Sequence, residues 1–346
     1  MLTLQGPPLS CHPPRWAANG HLQTILGNYL PGESPGHPSQ PFRISLADGD
    51  QLAGRHYPGE SGVLVLVFHG LGGDDQAHYV RRTVALARRL GHHVWTLNHR
   101  GCGEGRGLAR RPYHSGSAED LGAAFAAARE RHPGLRQVAV GYSLSANALL
   151  LNLGDGLGTM LPKPDLAIAV NPPIDLESCA VLIKKGLNRL YDLRFVKSCR
   201  RAIHERVADG LIPDIYRTRP WMTLHDFDNA YTAPAIGLRD REDYYHRCSA
   251  RDHLAKISVP TVILQSKDDP FIPWQHHAEA VRSARVHLHL EDHGGHMGYL
   301  SRDLPGHRWL PYALEHYLGE LLSVPRDVRF RSSATIPGRR SSTRPI

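Results

Sequence analysis

The sequence has no uninterrupted run of about 18 or more apolar residues, so no segment reads as a transmembrane helix. Its first 16 residues are rich in proline and lack the basic-then-apolar order of a secretory signal. Cysteine is sparse, with five residues at 11, 102, 179, 199 and 248 and no Cys-x-x-Cys pair. This argues against a disulfide framework and a thiolate zinc site, and it fits a reducing cytoplasm. There is little excess charge in the body of the chain. The 41 Lys and Arg exceed the 33 Asp and Glu by eight, but the last 22 residues alone hold six arginines against one aspartate. The remainder carries 35 cations against 32 anions, too balanced for a domain that concentrates positive charge on a nucleic-acid-binding face.

What is present is a chain of 346 residues, 41% hydrophobic, able to bury a large core. Residues 42–57 read as two short strands around the turn Asp48-Gly49-Asp50. The unbroken apolar run 63–68 reads as a strand buried on both faces, and it ends in His69-Gly70-Leu71-Gly72-Gly73. A helical pattern through Val80, Val84, Leu86 and Leu90 follows, then a strand over 93–97 and an alanine-rich helix over 117–131. Strand 138–141, helix 144–151 and strand 166–170 continue the alternation. Between 174 and 257 no buried strand is evident and amphipathic helix dominates. The alternation resumes with strand 261–264, a helix near 275–283, strand 286–290 and a final helix near 307–322.

This pattern predicts an α/β fold with a mostly parallel sheet covered by helices on both faces. The expected organisation is an N-terminal extension (1–40), a core in two parts (41–173 and 258–324), a helical cap inserted at 174–257, and a disordered basic tail (325–346).

The sharpest chemical feature is Gly141-Tyr142-Ser143-Leu144-Ser145, between a strand and a helix. A serine on such a turn is held strained with its hydroxyl exposed above the sheet. The usual pattern has glycine where this chain has Ser145, which should tighten the turn. A nucleophilic serine needs a base and the base an orienting acid, in the chain order Ser, acid, His for this architecture. Asp268 and Asp269 follow the strand at 261–264; Asp269 is the preferred acid, standing four residues before Pro273. His293 and His296 follow the next strand, and His296 is preferred because glycines flank it. The backbone N–H groups of Leu71 and Leu144 would form the oxyanion hole.

Taken together these segments resemble the YheT-like branch of the α/β-hydrolases. The resemblance runs from about Trp16 to about Leu322. It includes Asn19-Gly20-His21-Leu22-Gln23-Thr24, His69-Gly70-Leu71, Asn98-His99-Arg100-Gly101-Cys102, Tyr113-His114-Ser115-Gly116 and Gly141-Tyr142-Ser143-Leu144. Asp268-Asp269-Pro270-Phe271 and Gly294-Gly295-His296 complete it, while Ser145-Ala146-Asn147 departs from the family's Gly-Gly-Asn. The resemblance implies an α/β-hydrolase fold and a serine hydrolase of carboxylic esters, acylglycerols or medium-chain acyl esters among them. It carries the triad onto Ser143, Asp269 and His296, with no cofactor.

Three other readings compete. A hydrolase fold with little catalytic power could serve as a binding protein. His69 and Asp74 match His-x-x-x-x-Asp, a spacing used by some acyltransferases. Histidines 287, 289, 293 and 296 beside Glu291 and Asp292 suggest a metal, but no zinc signature is present. The expected partner is a small ester. Lys184, Lys185, Arg189, Arg194, Lys197, Arg200 and Arg201, or the arginines of the tail, could touch an anionic membrane weakly, although a solvated helix face is the simpler reading of the cap cations. Oligomeric state has no signature here.

Overall fold

A computed structural model describes residues 2, 4–30, 36 and 38–325. The tail expected to be disordered lies outside the described residues beyond Pro325. Eight strands form one sheet: β1 (Gln40–Ser45), β2 (Gln51–Tyr57), β3 (Val63–Phe68), β4 (His93–Asn98), β5 (Arg136–Tyr142), β6 (Leu166–Val170), β7 (Thr261–Ser266) and β8 (Val286–Glu291). Their order across the sheet is β1-β2-β4-β3-β5-β6-β7-β8. β1 pairs antiparallel with β2 and β2 with β4; every other pairing is parallel. The sheet is therefore mixed, mostly parallel, with an antiparallel ribbon at one edge.

The helices are α1 (Gly20–Tyr29), α2 (His78–Arg89), α3 (Ala118–Arg131), α4 (Leu144–Leu153), α5 (Leu176–Ile183), α6 (Arg189–Ala208), α7 (Leu224–Phe227), α8 (Ala233–Ala235), α9 (Arg241–Cys248), α10 (Trp274–Glu279) and α11 (Trp309–Ser323). Because successive strand residues point to opposite faces, each apolar strand feeds two cores. Leu64, Leu66 and Phe68 join Leu121 and Phe125 of α3 and Leu149 of α4 on one face. Val65 and Val67 join Val80 and Val84 of α2 and Trp309 and Leu314 of α11 on the other. Burial of this kind, worth about 1.5–3 kcal/mol per large side chain, holds the strand ends in place.

Three boundaries differ from the sequence reading. α1 forms where only an extension was expected, started by Asn19, whose side chain accepts the Leu22 N–H. α10 ends at Glu279, and Arg282 then donates to carbonyls at the helix end, including that of Ala280. α11 begins at Trp309 because Gly306 and His307 take left-handed φ of 62° and 57° and break the preceding turn. α5 to α9 all lie between β6 and β7, and no strand occurs among them. Among the described residues no helix is long and apolar enough to cross a membrane.

One buried ionic cluster anchors the antiparallel edge to α3. Arg100 donates to Asp120 through two nitrogens at 2.8 and 2.7 Å, and also to Asp48 and Asp50 at 2.7 and 2.6 Å. Asp50 in turn accepts the N–H groups of Arg110 and Arg111. Among the described residues, removing Arg100 would leave Asp50 and Asp120 without a cation and Asp48 with only the more distant Arg111, at 3.7 Å. Arg100→Met is therefore expected to cost about 3–5 kcal/mol of stability, measured as a lowered urea midpoint. An unchanged midpoint would show that the cluster contributes nothing.

Candidate functional site

β5 ends at Tyr142 and α4 begins at Leu144, leaving Ser143 alone to reverse the chain. Its φ of 53° lies in the left-handed region that a non-glycine residue enters only at a cost. The conformation is over-determined by its surroundings. Ser143 N–H donates to the Val170 carbonyl of β6, and the Ser143 carbonyl accepts from Ala146. Strand and helix approach so closely that a Cβ on Gly141 would lie 3.0 Å from the Ala146 backbone. The Ser143 side chain is only partly buried and faces a cavity.

His296 Nε2 lies 2.9 Å from Ser143 Oγ, and His296 Nδ1 lies 2.8 Å from Asp269 Oδ2. The structure thus brings together Ser143, His296 and Asp269. Asp269 has its second oxygen filled by the N–H groups of Phe271 and Ile272, both at 3.1 Å. Asn171 Nδ2 adds a 2.8 Å bond to Asp269 Oδ2, while Tyr299 O–H donates to Asn171 Oδ1. Asp268 instead accepts the Gly295 N–H at 2.7 Å and pairs with His293 at 3.6 Å. It sits behind the histidine loop, where burial raises its carboxyl above the ordinary range.

The loop carrying His296 is clamped by α1. Thr24 Oγ1 accepts the His296 N–H at 2.8 Å and donates to Gly20 O. Gln23 receives the Leu300 N–H and donates to the Leu300 carbonyl. Gly295, at φ 54°, has no room for a side chain, since a Cβ would fall 2.3 Å from Gly20 O. Phe271 packs tilted against the imidazole, with centroids 4.3 Å apart and planes at 48°. Sequence reasoning quoted the Asn19–Thr24 segment without a role; its role here is to position the histidine.

The loop after β3 is held by two tyrosines. Gly70 N–H donates to Tyr79 O–H at 2.9 Å and Gly72 N–H to Tyr113 O–H at 2.7 Å. Among the described residues the Leu71 and Leu144 amides have no acceptor, and both residues line the cavity beside Ser143. The arrangement can therefore offer two N–H donors next to a serine whose proton has a base within reach.

Ser145 is buried and fully used. Its hydroxyl donates to the His69 carbonyl and accepts from His99 Nε2. His99 stacks on Tyr113 with centroids 5.0 Å apart, so the hydroxyl is linked through His99 to the tyrosine that fixes Gly72. Burial keeps the His99 imidazole neutral by holding its pKa well below the ordinary range. His69 donates from Nδ1 to Gly70 O and accepts the His99 N–H at Nε2. Both its nitrogens are thus occupied, and burial lowers its pKa to about 4. Neither is free to serve an acyltransferase with Asp74. His289 lies between Glu291 at 3.0 Å and Tyr317 at 2.7 Å, and among the described residues no three His, Cys, Asp or Glu are grouped as a metal site.

The cavity measures about 430 Å³. Leu71 and Leu144 line its floor; Leu176 and Ile183 of α5, Phe195 of α6 and Phe227 of α7 line its roof. Such a space takes an apolar chain against a few fixed polar groups.

Comparison with known proteins agrees with this architecture. A model of the alpha/beta hydrolase family matches residues 64–307. YheT of Escherichia coli (strain K12) is 32% identical over 301 residues, covering 84% of this chain and 87% of that one. Phospholipase ABHD3 of Bos taurus is 26% identical over 309 residues, covering 84% and 73% respectively. Among solved structures, the Pyrococcus furiosus esterase Pf2001 superposes with a TM-score of 0.55 over 85% of this chain and 96% of its own; at 15% identity this is a likeness of fold.

The clamp on the histidine loop is testable through stability. Thr24→Val removes the acceptor of the buried His296 N–H and should cost about 1–3 kcal/mol in chemical denaturation. Thr24→Ser keeps the hydroxyl and should recover most of it. Equal stability of the two variants would show that the hydrogen bond does not matter.

Proposed function

The chain belongs to the α/β-hydrolase family, and we propose that it is a serine hydrolase of carboxylic esters working through Ser143, His296 and Asp269. The observation that carries this reading is the unbroken relay of 2.9 and 2.8 Å contacts from the strained serine through the imidazole to the carboxylate. Its relatives include esterases, lipases and phospholipases.

In the proposed reaction Ser143 Oγ attacks the ester carbonyl carbon while His296 Nε2 takes the hydroxyl proton. Asp269 stays ionised, holds Nδ1–H and stabilises the imidazolium. The N–H groups of Leu71 and Leu144 receive the oxyanion as it develops. Collapse expels the alcohol, which leaves with the proton from His296, and the acyl group remains on Ser143. His296 then takes a proton from water, the hydroxide adds to the acyl carbonyl, and the acid departs as the proton returns to Ser143 Oγ. Every proton is accounted for by one imidazole. We read residues 174–257 as the cap that supplies the apolar roof, and an aliphatic acyl or alcohol chain as what lies beneath it. A catalytically weak binding protein is the alternative, and an active-serine probe separates the two.

A fluorophosphonate should label the folded protein at Ser143. Ser143→Ala should abolish labelling and lower kcat/KM on a p-nitrophenyl ester by about 10⁴-fold with the fold intact. Unlabelled folded protein, or near-native turnover by the variant, would remove the mechanism.

The two neighbouring aspartates give a separate test. Asp269→Asn removes the charge that the imidazolium needs and favours the wrong tautomer, so it should lower kcat/KM by about 10³–10⁴-fold. Asp268→Asn, whose side chain serves the Gly295 amide, should cost under about tenfold. The reverse order of damage would transfer the acid's role to Asp268.

A further inference from the structure

We infer that Arg206 is an anion subsite of the cavity, so that favoured esters carry a carboxylate or phosphate remote from the scissile carbonyl. The inference rests on the ester-hydrolase reading and adds a substrate class to it. Arg206 projects from α6 and is 5% exposed. Its Nη2 donates to the carbonyls of Arg100 at 2.9 Å and Arg111 at 3.4 Å, and its Nη1 to that of Ala202 at 3.3 Å. Its Nε has no partner, and among the described residues no carboxylate lies within ion-pair distance. The buried Arg100, by contrast, meets three aspartates. A guanidinium taken out of water with only carbonyl dipoles around it is costly unless an anion joins it.

The other charges lining the cavity are already matched or held. Glu205 pairs with Arg201 at 2.8 Å and lies 3.9 Å from Arg106, which also pairs with Asp209 at 3.1 Å. Asp228 accepts from Thr232 and Tyr245, and burial pushes its carboxyl up to about 6. Asp74 accepts the Gln76 N–H. Among the described residues lining the cavity, Arg206 is the cation left without a counter-charge.

Helix α6 sets the distance. Phe195 meets Phe271, which packs tilted against His296, and Ser198 faces Gly72 of the loop after β3. Arg206 packs against Gly101; its backbone lies eight residues and roughly 12 Å of helix rise beyond Ser198, and its guanidinium reaches back to the Ala202 carbonyl, which shortens that distance. Ala202 and Tyr231 line the intervening wall. A ligand that spans this cavity has an ester at one end, a short apolar spacer, and an oxyanion at the other.

The test compares p-nitrophenyl alkanoates with p-nitrophenyl monoesters of dicarboxylic acids of matched and increasing length, on the full-length protein. At one chain length the charged ester should exceed its neutral partner in kcat/KM by about tenfold, the size of one charge-assisted hydrogen bond. Arg206→Gln should abolish that ratio, Arg206→Lys should keep part of it, and Lys197→Gln, on the exposed side of the same helix, should leave it intact. A neutral preference at every length, or a ratio unchanged in folded Arg206→Gln, would overturn the subsite. Arg206 also ties down backbone near residues 100 and 111, so Arg206→Gln could fail to fold, in which case the wild-type ratio decides. Calorimetry with octyl phosphate, octanoate and octanol distinguishes phosphate from carboxylate. It also separates the two ideas: with no turnover of any ester, an Arg206-dependent preference for the anions over octanol would keep the subsite and discard the ester reading, whereas equal binding would discard both.

Discussion

The left-handed backbone of Ser143 is the constraint on which the site depends. A residue with a Cβ at φ 53° is disfavoured by about 1–3 kcal/mol, and it persists only because neighbouring elements leave no alternative. β5 is hydrogen-bonded on both sides, to β3 and β6, so the strand cannot retreat. α4 is buried from Ser145 to Leu153 and cannot slide. With both fixed, the serine hydroxyl stands past the C-terminal end of a central strand whether or not a base is there to meet it. The apolar core is therefore also the device that positions the polar site.

The histidine reaches that hydroxyl by a different route. Its loop follows β8, a strand at the edge of the sheet, and has little internal structure to define it. Asp268 and Ser266, at the end of β7, hold the two sides of the Gly295 peptide, and α1 holds the histidine itself across the 272 positions between Thr24 and His296. Serine and histidine are thus aligned by independent parts of the chain. Damage to α1 should displace the imidazole and leave the serine turn unaltered. Asp269, with four donors around its two oxygens, is the fixed point between them.

How much of this was legible in the sequence follows from which interactions are local. Strands such as 63–68 announce themselves because burial on both faces demands an unbroken apolar run. Ser143 is legible because its turn needs a small residue at Gly141, two positions away. Asp269 and His296 follow from chain order and glycine flanks. What escaped was non-local. α1 has no strong apolar periodicity, because the side chains it buries are Gln23 and Thr24, which clamp the histidine loop through polar contacts. Asn171 sits at a strand end and gives no sign that it serves a carboxylate 98 positions later. Tyr113 and His99 were visible as segments, but their role emerges only when the rings stack beneath the oxyanion loop.

Ser145 shows why a departure from a motif must be weighed with its surroundings. Glycine at this position leaves strand, loop and helix free to approach. A serine adds a hydroxyl, which in a buried place is unfavourable unless it is satisfied. Here it is satisfied twice, by the His69 carbonyl as acceptor and by His99 as donor. Both partners belong to segments that already flank the site: His69 opens the loop after β3, and His99 stacks on the tyrosine that holds Gly72. The extra group therefore cross-links the serine turn to the loop after β3. Because His99 stays neutral, it donates to Ser145 without bringing a second positive charge toward the imidazolium that would form at His296. The substitution tightens a contact between two parts of the site whose relative position the proposed chemistry requires to be fixed.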